Sequence, residues 1–214
     1  MFRHLGTPNK TMKTICAAIL LLLPLSRTFG QTYMKLSGET SAQFAEKVKP
    51  ENSEVIHLVV ETDVWQTAQK CIIAFYQVAK EGLDDVYVYV YYPLDSLSYK
   101  SIRFGPIEGE GNSAAEILSV FFVNADQDTH KELAVLCGFD FDAYDVAGTF
   151  YYTYIFDGPT ATDTELNHYA ISSKFDDADY FGMDRPESEQ KGRKEIAKFK
   201  TAKAIRAELK RLGY

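Results

Sequence analysis

Catalytic and metal-binding motifs are scarce in this chain. It has three cysteines and four histidines among 214 residues, and no spacing between them fits a zinc site. The sequence contains neither the G-x-S-x-G motif of a serine hydrolase nor the H-E-x-x-H motif of a zinc protease. Acidic residues are abundant, so a hydrolase based on two carboxylates is one alternative. The pattern favours a binding protein over an enzyme.

Long hydrophobic runs are also lacking. The one long apolar run extends from Ile15 to Leu25, which is too short to span a bilayer. Two lysines precede it, and small and polar residues follow it up to Gly30. This order is typical of a secretory signal peptide, so we predict that residues 1–30 are removed and that the mature protein is periplasmic or secreted. A short N-terminal membrane anchor is the alternative. We expect no membrane span after signal cleavage.

Lysine and arginine are much less frequent than aspartate and glutamate in the mature chain. Loss of residues 1–30 leaves 19 lysines and arginines against 30 aspartates and glutamates, a net charge of about −11. This excess argues against a nucleic-acid partner. Nine of the basic residues lie between Lys191 and Arg211, so the rest of the chain is strongly acidic. Residues 31–214 have the length of a single domain.

Two cysteines remain after processing, Cys71 and Cys137. In an oxidising compartment they can form a disulfide. The alternative is a pair of separate buried thiols, which pack as small apolar side chains.

Several segments have the pattern of β-strands. "EVIHLVV", "SYKSIRF", "ILSVFFV", "ELAVLC" and Thr149–Phe156 are predicted strands. "DDVYVYVYYP" is the clearest, because its valines and tyrosines alternate and so occupy opposite faces. The tyrosine face is either a binding surface or a half-buried face beneath a helix or a neighbouring strand.

Two helices complete the predicted fold. Apolar residues from Trp65 to Ala79 recur at helical spacing, which predicts an amphipathic helix over residues 64–81, although "KCIIAFYQV" is also compatible with a strand. An apolar stripe with Lys- and Arg-rich flanks predicts a basic C-terminal helix over residues 188–212. It either packs on the acidic body or contacts an acidic partner or membrane. The fold class is α+β: an antiparallel sheet of about five to seven strands with these helices packed on it.

The stretch "NADQDTHKELAVL" is the strongest candidate for a functional site. Asn124, Asp126, Asp128 and Glu132 place oxygen-bearing side chains at alternating positions of one inter-strand loop. With the main-chain carbonyl of His130, they form an oxygen set suited to calcium, a hard cation with six to eight ligands. The loop lacks the Gly and final Glu of an EF-hand. The alternative is a hairpin turn in which Asn and Asp side chains cap the backbone and Lys131 pairs with a carboxylate.

This loop resembles the D-x-[DN]-x-D-x-x-x-[DE]-L-x-[VIL] calcium loop of FG-GAP and VCBS-type repeats. The match covers about residues 121–136, with Asn124 in place of the usual first Asp. Some small exported bacterial proteins with one such unit act as lysozyme inhibitors or immunity proteins. The resemblance implies an exported bacterial binding protein, with calcium as cofactor and a protein or glycan of the cell envelope as partner. An inhibitor or immunity protein against a cell-wall lytic enzyme, and a structural envelope protein, are the alternatives.

Overall fold

The structure is a computed structural model that describes residues 30–110, 113–126, 128–182 and 192–214. All of the predicted signal peptide except Gly30 lies outside the described residues. Within those residues, none of the helices has the length and hydropathy needed to cross a membrane. The architecture is broadly α+β and dominated by antiparallel strands, as predicted, but its strands form two sheets and its helices are few and short.

The first sheet contains seven described strands. They are β1 (Thr32–Met34), β2 (Ser53–Val55), β3 (Val60–Thr62), β4 (Cys71–Val78), β5 (Asp85–Pro93), β6 (Ser98–Ile107) and β10 (Glu165–Leu166). Their order is β1-β6-β5-β4-β2, with β3 also paired to β4 and β10 to β6. The pairing of β10 with β6 is parallel, and the others are antiparallel.

The second sheet contains five described strands, in the order β12-β11-β9-β8-β7. They are β7 (Glu116–Val123), β8 (Glu132–Asp142), β9 (Val146–Phe156), β11 (Asp177–Gly182) and β12 (Lys194–Glu195). All four pairings are antiparallel. The two long hairpins β7–β8 and β8–β9 leave the loop between residues 123 and 132 at one end of the sheet.

Three short helices of the described residues lie outside the sheets. Helix α1 (Ser41–Val48) begins with a capping box in which Thr40 and Gln43 satisfy each other's main-chain amides. A 3₁₀ helix (Ala170–Phe175) follows β10, and helix α2 (Ala202–Leu212) ends at Gly213, whose positive φ of 97° suits a helix terminus.

The core is divided into three parts by the two sheets. The largest part lies between the sheets and contains Cys71, Ile73 and Phe75 of β4 together with Leu133 and Val135 of β8. A second part lies between the first sheet and α1, and a third between the second sheet and α2. The sheets therefore form the two middle layers of the domain, and each is covered by a helix.

The helix predicted over residues 64–81 is wrong. Residues 71–78 form β4, and the amide of Gln66 donates to the carbonyl of Asp63 in a turn instead of beginning a helix. Strand β4 is central, so alternate residues face different cores: Ile73 faces the other sheet and Ile72 faces α1. A strand that is buried on both faces has a continuous apolar run, which has no period-2 pattern to distinguish it from a helix.

The predicted C-terminal helix is too long at its N-terminal end. Residues 188–191 lie outside the described part, residues 194–195 form β12, and the helix begins only at Ala202. Its apolar residues Ile205 and Leu209 are buried against Phe121 and Leu136 of the second sheet, which confirms that the helix packs on the body.

The alternatives left open for the cysteines and tyrosines are decided by burial. Cys71 and Cys137 are buried free thiols, and neither forms a disulfide with a described residue. Burial raises the pKa of the Cys71 thiol to about 11. On the tyrosine face of β5, Tyr91 is buried against Phe44 of α1 at a centroid distance of 5.1 Å. The Tyr91 end of that face packs under α1, whereas Tyr87 and Tyr89 are half-buried.

Candidate metal centre

The predicted metal-binding loop connects β7 to β8. The strands pair with Val123 opposite Glu132, so the chain reverses within residues 124–131. Glu132 is the first residue of β8 and is thus fixed by the sheet, whereas Asp126 and Asp128 belong to the loop. The flanking strands hold both ends of the loop, and the amide of Ala125 reaches back to the carboxylate of Glu132.

Three carboxylates of this loop converge. One oxygen from each of Asp126, Asp128 and Glu132 lies within 4.8 Å of the others. In the described part of the chain, this is the one group of three or more Asp, Glu, His and Cys side chains close enough to share an ion. Three negative charges at this separation repel one another unless a proton or a cation neutralises them.

Glu132 is the most unusual member of the group. The residue is fully buried, and its Oε2 accepts a short hydrogen bond from the amide of Ala125. Its Oε1 is also buried and has no hydrogen-bond partner among the described residues. Burial raises the pKa of Glu132, and the negative charges of Asp126 and Asp128 raise it further against the opposing effect of the Ala125 amide. A buried carboxylate with one unsatisfied oxygen is costly unless another group is bound there.

The two aspartates also shape the loop. Asp126 Oδ1 accepts from the amide of Asp128 at 2.8 Å, and Asp128 Oδ1 accepts from the amide of His130 at 2.7 Å. These are the backbone-capping bonds expected of a polar turn. The His130 amide is the main cause that lowers the pKa of Asp128. Each aspartate keeps a second oxygen, and that of Asp126 accepts from the hydroxyl of Tyr169 at 3.4 Å. Capping uses Oδ1 of each aspartate, so Oδ2 of each can bind a cation without loss of the capping bonds.

The other two predicted ligands have different contacts. Asn124 Oδ1 accepts from Nζ of Lys131 at 2.9 Å. The turn interpretation expects Lys131 to pair with a carboxylate, but its partner here is a side-chain amide. The exposed imidazole of His130 lies 3.3 Å from Oδ2 of Asp128. The predicted ligand at His130 is its main-chain carbonyl, which does not depend on the imidazole.

Two residues that support the loop were not predicted. Trp65 donates from Nε1 to the carbonyl of Lys131 at 2.7 Å, and its ring lies so close to Gly158 that a Cβ there would be 2.9 Å from two ring atoms. Tyr169 contacts Asp126 from the start of the 3₁₀ helix, and burial followed by the charge of Asp157 raises its pKa. Both lie more than 40 residues from their partners in sequence.

No family model matches this chain, and no curated protein or solved structure matches it. The likeness to FG-GAP and VCBS-type calcium loops therefore stays a prediction from residues 121–136. The geometry of the site has to be interpreted from its own chemistry.

Proposed function

We propose that this protein is an exported binding protein in which a calcium ion holds the β7–β8 loop. The observation that carries the proposal is the Oε1 atom of Glu132, which is buried beside the carboxylates of Asp126 and Asp128 and accepts no hydrogen bond from any residue that the structure describes. A cation at this point would satisfy that oxygen and neutralise the group. Asn124 and the His130 carbonyl are the further ligands expected from the sequence.

Calcium suits the site better than other common metals. The side chains that converge offer oxygen alone, and no described cysteine or histidine belongs to the group, which disfavours zinc and copper. Calcium accepts irregular geometry and uses main-chain carbonyls, both of which a loop of this kind supplies. Magnesium demands a nearly ideal octahedron and retains several waters, so it should bind less tightly.

The binding function is supported by the charge and by the scarcity of catalytic motifs. The mature chain carries a net charge of about −11, which favours a partner with a basic surface in the cell envelope. A cell-wall lytic enzyme is the specific partner that the resemblance of the loop suggests. The calcium ion would act as a structural element that fixes the end of the β7–β8 hairpin.

A thermal melt of residues 31–214 with calcium and with chelator tests the metal site. At a calcium concentration about 100 times its Kd, binding adds about 2.7 kcal/mol to the free energy of unfolding. For a domain of this size that corresponds to a rise in Tm of roughly 5–10 °C. Asp126→Ala combined with Asp128→Ala should abolish the rise. Magnesium at the same concentration should give a smaller shift.

The matched control removes two exposed carboxylates at the start of β2, one in the preceding turn and one in the strand. Glu51→Ala with Glu54→Ala changes the net charge by the same amount far from the loop and should keep the full calcium response. A wild-type Tm that is the same in calcium and in chelator would show that the loop binds no calcium ion. The binding function would then rest on charge alone.

A further inference from the structure

One edge of the second sheet is formed by a long strand. β7 has eight residues, and no described strand pairs with its outer side. The other described strands that end a sheet, β1, β2, β3 and β12, have only two or three residues each. Natural proteins keep exposed edges short, because unpaired main-chain groups readily pair with another strand. β7 departs from that rule.

The sequence of β7 also lacks the residues that usually protect an edge. It reads "EILSVFFV", without proline or lysine, and Glu116 at its start is its one charged residue. Apolar segments of high β-propensity and low charge are the ones that pair with another strand. The side chain of Leu118 is 40% exposed, and Val120 and Phe122 are half-buried. The edge is therefore accessible and apolar.

The hydrogen bonds of β9 show which way the main-chain groups of β7 point. Ile155 donates its amide to Oγ of Ser172 at 3.0 Å, and its carbonyl accepts from the amide of Tyr169 at 2.7 Å. These bonds point away from β8, so Ala134, which lies opposite Ile155, bonds toward β7. Its partner there is Phe121, whose main-chain groups therefore point into the sheet.

The main-chain groups of the two neighbours of Phe121 and Ser119 in the strand, Val120 and Phe122, point to the outer edge, because direction alternates along an antiparallel strand. One contact supports this direction: Nη2 of Arg206 lies 3.5 Å from the carbonyl oxygen of Phe122. The amide and carbonyl of Val120 form no hydrogen bond on this side with any residue that the structure describes. These groups are available to a partner strand.

The two ends of β7 differ in charge. Glu116 is exposed and forms no ion pair with a described basic side chain. At the other end of the strand is a cleft of about 290 Å³, the basic cleft, which is lined by Lys131, Arg206 and Lys210 and by no aspartate or glutamate. Asn124 also lines it. An acidic side chain at one end and a basic cleft at the other make the edge self-complementary.

Antiparallel pairing of two copies about Val120 brings these ends together. Glu116 lies four residues before Val120, and Asn124 lies four residues after it. The pairing therefore sets Glu116 of each copy opposite Asn124 of the other, at the basic cleft. A two-fold axis forms the same contact twice.

We propose that this protein forms a two-fold dimer through β7, in which the free main-chain groups of Val120 pair with a second copy and Glu116 enters the basic cleft of that copy. A second copy fits better than an unrelated strand, because the edge carries at its own two ends the charges that the pairing requires. The second sheets of the two copies then form one continuous sheet.

Sedimentation velocity of residues 31–214 over a range of concentrations tests the proposal. It is carried out in chelator, so that the outcome does not depend on the proposed calcium ion. A concentration-dependent dimer is expected. A chain that stays monomeric at every concentration overturns the proposal and leaves the edge to a strand of a different polypeptide.

A proline at the centre of the edge tests the pairing itself. Val120→Pro removes an amide that points away from β8, a position at which an edge strand tolerates proline, and should abolish the dimer. Val120→Thr is the matched control, because it retains the amide and a β-branched side chain and should dimerise like wild type. A thermal melt verifies folding. Dimerisation of a folded Val120→Pro variant with unchanged affinity would refute the interface.

Charge reversal tests the contact between the two ends and does not depend on the proline variant. Glu116→Lys and Arg206→Glu, both at exposed residues, should each weaken self-association at least about tenfold. An equimolar mixture of the two variants should recover the dimer, because each residue 116 then faces an opposite charge at residue 206. Glu51→Lys is the control at a distant exposed site and should leave Kd unchanged. A mixture that associates no more tightly than either variant alone would refute the two-fold arrangement.

Discussion

Two buried carboxylates of the second sheet have opposite environments. Glu132 at the start of β8 and Asp179 in β11 are 0% and 7% exposed, so both have lost nearly all contact with water. The pKa of Glu132 is raised, whereas that of Asp179 is lowered. Burial disfavours the charged form of each, so the difference must come from their neighbours.

The neighbours of Asp179 supply what its charge requires. Its Oδ1 accepts from the amide of Ala197 at 2.7 Å, and its Oδ2 accepts from Nζ of Lys200 at 2.9 Å and from the hydroxyl of Tyr151 at 3.0 Å. Burial alone would raise the pKa of Asp179, but these donors outweigh it. The carboxylate ties the segment before α2 to the sheet.

Glu132 has one main-chain donor and two negative neighbours. Burial by itself therefore does not distinguish a structural carboxylate from a ligand. A structural carboxylate has protein donors for both oxygens, whereas the carboxylate of a binding site keeps an oxygen for something that the chain does not supply. By that criterion Asp179 is structural and Glu132 is a candidate ligand.

The largest expected effect follows from removing the charge of Asp179. Asp179→Asn loses the charge-assisted bonds from Ala197 and Lys200, each worth about 1.5–3 kcal/mol when a charged group is involved. We expect the free energy of unfolding to fall by roughly 2–3 kcal/mol in denaturant titrations, with or without calcium. Lys200→Ala should cost less, because its side chain is 35% exposed and the Ala197 amide remains.

The pH dependence of the stability lost in Asp179→Asn serves as the control for this prediction. Because the folded pKa of Asp179 lies below the unfolded value, the stabilisation is present above the unfolded pKa, about 3.9, and is lost as the pH falls through the folded pKa. The difference between wild type and Asp179→Asn should therefore shrink on acidification. A difference that grows as the pH falls would contradict the structural role of the charge.

The second largest expected effect is an increase in the free energy of unfolding, caused by Glu132→Gln in chelator. Glu132→Gln keeps an oxygen for the Ala125 amide and removes the repulsion from Asp126 and Asp128. In chelator we expect this variant to be more stable than wild type by about 1 kcal/mol, which is the typical net contribution of one hydrogen bond to the free energy of unfolding. In calcium the order should reverse, because the variant loses a ligand. Denaturant titration with calcium and with chelator measures this reversal of the two stabilities. If the variant is less stable than wild type in chelator, Glu132 is a structural carboxylate like Asp179.

Local patterns in the sequence predicted the elements that depend on near neighbours. The alternation of β5 predicted a strand, and the spacing of Asp126, Asp128 and Glu132 predicted their convergence, because the strand period and a tight turn both act over a few residues. Strand β4 was predicted only as the alternative to a helix, since each of its faces packs against a different core and that arrangement exists only in the assembled fold.

The contacts that support the loop were beyond sequence reasoning for the same cause. Trp65 reaches the carbonyl of Lys131 across 66 positions, and Tyr169 reaches Asp126 across 43. No periodic signal connects residues at such distances. The unsatisfied oxygen of Glu132 is likewise a property of packing, which decides whether a buried polar atom finds a partner among the described residues.

The smallest expected effect concerns Lys131, which places a positive charge in the loop itself. Its Nζ donates to Oδ1 of Asn124 at 2.9 Å, and the residue is exposed. Lys131→Ala frees this oxygen for the ion and removes a repulsive charge, so calcium should bind about twofold more tightly, the size typical of an exposed charge interaction. Calcium titrations at low and high salt measure the change, which should diminish at high salt because screening weakens exposed charges. Weaker binding by the variant would mean that Lys131 positions Asn124, and the loop would then resemble the Asp179 site, where a lysine completes the arrangement.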